Sequence, residues 1–198
     1  QKGKTSRKAP ANIKRIAIPA VFPLKGQKGI LRFDFESGNL QGWKIVQGKL
    51  GIPISKRPHF RNRANVPMNK EGKFYLNTLE VDANNFSDQQ MAIIESPVFT
   101  LNGADMNMIL GGGKHKNLYI ALCTLDGKEQ FKAYGRQDEV FFLNKWSAPK
   151  LVGKKVYLKL VDNSSSGWGH ILFDAFEAKG TIDPAATKKR FSTKYFAL

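Results

Sequence analysis

The sequence predicts an all-β protein, a two-layer β-sandwich of jelly-roll type with a basic extension at each end. Three observations predict it. Through the middle of the 198-residue chain, about ten short runs alternate apolar with polar residues, and Gly, Pro, Asn and Asp turn signals separate them. The composition includes 18 Gly and 14 Phe, which suits a sheet protein with many tight turns and bulky side chains to bury between layers. No long amphipathic helical pattern and no internal repeat compete with this reading, so the strands must cover one another.

Residues 1–29, rich in Lys, Pro, Ala and Gly, read as an extended arm, within which 16–22 can dock as an edge strand because Pro19 and Pro23 are tolerated only at an edge. The folded unit begins at residue 30, where 30–36 alternate cleanly; 37–42 form a turn and 43–46 the next strand. Residues 47–71 form a long basic loop in which Pro53, Pro58 and Pro67 prohibit regular helix. Strands follow at 72–78, 92–95, 98–101 and 106–110, then three glycines, then a strand over 117–125. Asp126-Gly127 is a hairpin turn that returns through 129–133. Further strands lie at 140–143, 156–161 and 171–176, with a turn at 151–154. The sandwich domain therefore spans 30–180. The Lys-rich tail 181–198 is loosely held unless Phe191, Tyr195 and Phe196 pack back.

The formal net charge of +16 belongs mostly to the ends. Residues 1–32 carry nine basic and no acidic residues, and 178–198 carry five basic and one acidic. That leaves 18 basic and 15 acidic residues in 33–177, a nearly balanced core. Basic arms attract a polyanion or an acidic partner, or simply keep the chain solvated. A nucleic-acid role is disfavoured, since the core lacks aromatic-rich strands interleaved with Arg. No apolar run approaches the roughly 18 to 20 residues that cross a bilayer. The single cysteine, Cys123, sits in a run apolar on both faces and reads as a buried, inert thiol. The chain starts at Gln1 without Met or a signal-peptide pattern, as a processed secreted protein or a trimmed chain would.

The candidate chemistry gathers between the last two predicted strands. The loop Asp162-Asn163-Ser164-Ser165-Ser166-Gly167-Trp168-Gly169-His170 carries a carboxylate, an indole and an imidazole together. Carboxylate and imidazole hydrogen-bond hydroxyls, and an indole face covers the apolar side of a sugar ring. Trp168 serves equally well as an exposed platform or a core plug, and the two histidines as structural hydrogen-bonders of the hairpin. His115 follows Gly111-Gly112-Gly113-Lys114, where glycines permit a tight turn that presents it. His115, His170 and Asp162 also suggest zinc, but their spacing is not that of a metal site. Arg136 and Glu139 supply a fork of donors and a pair of acceptors for adjacent hydroxyls, or a surface salt bridge. Arg57, Arg61 and Arg63, with His59 and Phe60, form an anion-binding candidate or a solvated loop. Asp34, Glu36 and Asp174 meet if the first and last strands meet, and then offer oxygens to a structural Ca²⁺. Catalysis is poorly supported: no pair of carboxylates is marked out for glycoside hydrolysis, and there is no nucleophile elbow or phosphate loop.

Phe33-Asp34-Phe35-Glu36-Ser37-Gly38-Asn39-Leu40-Gln41-Gly42-Trp43, Glu95-Ser96-Pro97-Val98-Phe99, the glycines before His115, Leu151-Val152-Gly153-Lys154, and Asp162 through Asp174 occur in a telling order. Over roughly 32–178 they resemble the non-catalytic β-sandwich modules attached to family 32 fructan-degrading glycosidases, including the levan-binding carbohydrate-binding module. The resemblance implies a jelly roll, an extracellular or periplasmic location and contact with carbohydrate, with Glu139 at an acidic position of those modules. The chain departs from them in the basic loop 47–71 and again at 74–88, so their ligand does not carry over. The expectation is a secreted, non-catalytic carbohydrate-binding module for a polysaccharide, neutral or anionic, that requires no cofactor and has a structural Ca²⁺ as an option. The rivals are a jelly-roll enzyme acting on polysaccharides and an assembly protein whose basic arms dock an acidic partner.

Overall fold

The computed structural model describes residues 22–58, 60 and 67–195. Eleven strands and one helix follow in order: β1 (Ile30–Phe33), β2 (Lys44–Lys49), β3 (Ile54–Ser55), β4 (Tyr75–Asn77), β5 (Met91–Glu95), β6 (Phe99–Gly112), β7 (Leu118–Thr124), β8 (Glu129–Ala133), β9 (Asp138–Ser147), β10 (Lys155–Asp162), β11 (Ile171–Ile182) and α1 (Pro184–Tyr195). Every pairing is antiparallel. One layer runs β2-β5-β10-β7-β8. The other runs β9-β6-β11, with β4 and then β3 beside the start of β11 and β1 beside its later part. From β5 onward the chain passes repeatedly from one layer to the other. Strand β6 pairs with β10 through Phe99 and Thr100, which joins the layers at one corner. This is the predicted two-layer sandwich.

Alternation explains the interior. Ile120 and Leu122 of β7, Leu158 and Leu160 of β10 and Ile94 of β5 point inward from one layer. Met106, Met108, Leu110, Ile171, Phe173 and Phe176 meet them from the other. Phe35 packs edge-on and Trp43 tilted against Phe173, while Phe33 stacks on Phe176 and meets Trp43 edge-on. Removing these faces from water at about 25 cal/mol per Å² is the main stabilising term.

Both outer faces are covered as well. On the β6–β11 layer, Ile109, Leu172, Ala175, Tyr75 and Phe141 lie beneath Phe60 and Met68, brought there by the long loop. On the opposite layer, Val98, Ala121, Cys123 and Tyr157 lie beneath α1, whose Ala186 packs on them. Cys123 is free and buried, and burial pushes its thiol up, as an inert thiol requires.

Three elements depart from the sequence reading. The strands expected at 98–101 and 106–110 are one 14-residue strand. A short strand pair, β3 with β4, interrupts the expected loop 47–71. The tail forms a 12-residue helix in which Phe191 is buried. Thr187 accepts from the Val98 amide (2.9 Å), and Arg190 reaches the buried Glu95 through two contacts (2.9 and 3.2 Å). The expected edge strand at 16–22 lies outside the described residues apart from Phe22, as does Phe196. No helix among the described residues is long and apolar enough to cross a membrane.

Candidate functional site

One end of the sandwich collects the ends of β4, β6 and β10 and the start of β11. Close backbone packing builds it. A Cβ on Gly113 would overlap the Trp168 carbonyl, one on Gly135 would overlap the carbonyls of Gly112 and Gly113, and one on Gly169 would overlap three carbonyls of the surrounding turns. Gly112 has φ +98° and brings the Gly113 amide to the His170 carbonyl at 2.8 Å. The glycines therefore let the 112–113, 135 and 168–170 segments touch. They do not serve to project His115, whose turn closes through the Leu118 amide on the His115 carbonyl (3.0 Å).

Trp168 sits half-buried with φ 65°, a left-handed conformation uncommon for a large side chain. Asp88 holds it there, accepting the Trp168 amide at 3.2 Å. The same carboxylate bonds His170 Nδ1 at 2.6 Å, and the imidazole stacks under the indole at 5.6 Å and 24°. Beneath lies Asp162. Its Oδ1 accepts from Ser164 N at 3.4 Å, and Thr78 bonds it while also accepting the Ile171 amide at 3.0 Å. Burial, opposed by those hydrogen bonds and reinforced by the nearby Asp88 charge, pushes the Asp162 carboxyl up to about 7. Asp162 Oδ2 and His170 Nε2 are buried with no hydrogen-bond partner among the described residues.

This burial corrects part of the predicted site. His170 is 0% and Asp162 1% exposed, so neither reaches a ligand; they form the floor that fixes Trp168. Glu139 is also buried and acts on the Tyr75 phenol, whose ionisation burial pushes well up, with the charges of Glu80 and Glu139 adding to it. His115 is exposed, whereas Asp162 is interior. What remains at the surface is Trp168, His115 between Lys114 and Lys116, and Arg136, whose guanidinium lies 4.6 Å over the Phe142 ring. Asp88 and Thr78 were not singled out from sequence. No local pattern marks a carboxylate 82 residues from the histidine it holds.

The other two clusters also change meaning. Arg57 binds Glu80 at 2.7 Å and caps the carbonyls of Asp82 and Ala83, which is an anchor for the loop and not an anion site. Arg61, Arg63 and His59 lie outside the described residues. Of the three carboxylates expected to hold Ca²⁺, Asp34 instead pairs with Arg32, which also pairs with Glu71 and Glu177. Glu36 accepts the Lys73 and Phe74 amides (both 2.8 Å), and the buried Asp174 accepts those of Glu71 and Ala175. Burial pushes the Asp174 carboxyl well up, and the Glu71 and Glu36 charges add to it. Among the described residues no three such side chains stand arranged to hold a metal ion. The oxygens are taken by N–H donors and the central positive charge by a guanidinium, so this donor set does not fit calcium as expected.

No family model matches the chain. An 87-residue stretch, 44% of the chain, is 30% identical to a protein of Aspergillus rugulosus named as a glycosyl hydrolase, ecdE. The matched stretch spans only 12% of that relative's length. Among solved structures, the module TmCBM61 in complex with β-1,4-galactotriose is similar at a TM-score of 0.46 and 13% identity, covering 76% of this chain and 94% of that one. The K3 cleaved adhesin domain of Lys-gingipain from Porphyromonas gingivalis w83 gives 0.44 and 9%, over 74% and 97% of the two chains. Likenesses this low carry nothing about ligand or activity.

Proposed function

We propose that this chain is a non-catalytic carbohydrate-binding module that grips a polysaccharide, anionic by preference, at the rim around Trp168. One observation carries the reading: a half-exposed indole is locked in an uncommon backbone conformation by Asp88 and backed by the stacked His170. An aromatic face held this rigidly loses little freedom when a sugar ring covers it. The adjoining turns add exposed Lys114, His115, Lys116 and Arg136 as donors to hydroxyls and carboxylates or sulfates. The partial match to a protein named as a glycosyl hydrolase supports a glycan-related role. Asp162 and Glu139 are buried and Asp88 is engaged, which favours binding over hydrolysis at this rim.

The test is retention on affinity gels of neutral and anionic polysaccharides at low and moderate salt. Wild type should be retarded, with Trp168→Ala losing about tenfold or more of the affinity, as stacking contacts of about 1–3 kcal/mol imply. Arg136→Ala should weaken anionic gels selectively. Retention indifferent to Trp168 in a variant with an unchanged melt, or no retention on any gel, would refute the proposal.

A further inference from the structure

At the opposite end of the sandwich, α1 and β1 leave a groove of about 770 Å³ between them. Its walls are apolar, formed chiefly by Leu31, Pro97, Ile182 and Phe191. Its polar rim is cationic: Lys44 lies 5.0 Å over the Phe191 ring, Lys188 is exposed on the helix, and no carboxylate among the described residues lines the groove. Lys188 makes no ion pair among the described residues. The groove is held open, because the helix is pinned along its length. Asp183 accepts the Ala186 amide (2.9 Å) and pairs with Lys155 (2.8 Å), Thr187 holds the Val98 amide, and Arg190 holds Glu95. Pro97 and Pro184 stiffen two of its walls.

A preformed apolar cleft of roughly 300–1,000 Å³ with a few placed polar groups is what small-molecule sites look like. Sugar chemistry does not suit this one, since its walls offer few hydroxyl partners. We propose that the groove binds an amphiphilic organic anion, with an acyl or aryl body filling the cleft and a carboxylate or sulfonate facing Lys188 and Lys44. Apolar burial supplies the affinity and the cationic rim sets the sign of charge accepted.

The experiment is a fluorescence titration of the full chain with anilinonaphthalene sulfonate and with phenylnaphthylamine, the same body without the anion. One saturable site per chain is expected, with the sulfonate preferred at low salt and the preference shrinking as salt rises. Ser192→Trp, which places a ring over the groove, should weaken binding about tenfold or more, and Lys188→Glu several-fold for the sulfonate alone. Both positions lie on the helix surface, so both variants should melt as wild type does. Trp168→Ala should leave this titration unchanged. The inference is overturned if no saturable site appears, if both groove variants bind as wild type does, or if the two probes bind equally.

Discussion

Asp162→Asn tests the buried floor beneath Trp168 directly. Burial pushes the carboxyl from its ordinary 3.8 up to about 7, so the folded chain holds a proton there that the unfolded chain releases. Between those values the native state binds more protons, and the slope of unfolding free energy with pH is negative. The contribution is present in full below about pH 4 and is lost as pH rises through about 7. At about 1.4 kcal/mol per pH unit, the distance from 3.8 to about 7 sets an upper limit of about 4 kcal/mol. Residual hydration of the interior brings the expected effect nearer to about 2 kcal/mol. Asparagine keeps Oδ1 for Thr78 and Ser164 and places a donor where the protonated acid has one, so it mimics the neutral form. Urea denaturation at pH 5 and pH 8 should show wild type losing stability on the alkaline side, and Asp162→Asn losing less by about 2 kcal/mol. Asp174 carries a shift of the same sign, so the difference between the two proteins is the informative quantity. Parallel pH slopes in both proteins would refute the assignment of a buried neutral acid at 162.

Two further substitutions follow from the packing. Arg190→Met takes the guanidinium away from Glu95, 0% exposed, and from the face of Tyr157, 3.5 Å off; unfolding should be easier by about 3 kcal/mol, and adding Glu95→Gln should restore much of it in a double-mutant cycle. No such restoration would mean that the pair does not hold the helix. Gly113→Ala drives a methyl group into the Trp168 carbonyl and against Leu118; it should cost roughly 2–4 kcal/mol and alter the near-ultraviolet signal of the indole. A wild-type melt and spectrum would show that the turn is looser than this packing.

Strands were legible where one face is buried, because alternation then has a physical cause. That rule found β7, β10 and the start of β11 and failed at β6. There Asn102-Gly103-Ala104-Asp105 is small, polar and only partly covered, and the ladder to β11 skips from Leu101 to Met106, so the pattern breaks within what is one strand. Helix α1 escaped notice because only Ala186, Phe191 and the arms of Thr187 and Arg190 face the sheet, leaving a weak apolar stripe. At the site, the glycines and Trp168 advertised a special turn, and the turn is there. Its function as a backbone contact between distant segments was not legible, since Gly113 meets Trp168 and Gly169 meets Asp88, both far along the chain. The same is true of charge. Arg57, Glu139 and Asp162 read as surface groups by type, and long-range packing placed all three in structural roles.

The two proposed sites divide the molecule by chemistry and by position. Strand β6 begins next to Pro97 of the groove and ends at Gly112 of the rim. Fourteen residues at about 3.3 Å each separate them by up to about 45 Å. At that distance, with no shared side chain, substitutions at the two ends should act additively. The rim offers an immobilised indole and exposed donors, which suits hydroxyl-rich chains. The groove offers apolar walls and a cationic rim, which suits a hydrocarbon body bearing one negative charge. A polysaccharide that displaced the naphthalene probe, or a probe that lowered gel retention, would therefore require a coupling through the sandwich that its rigidly packed core does not provide.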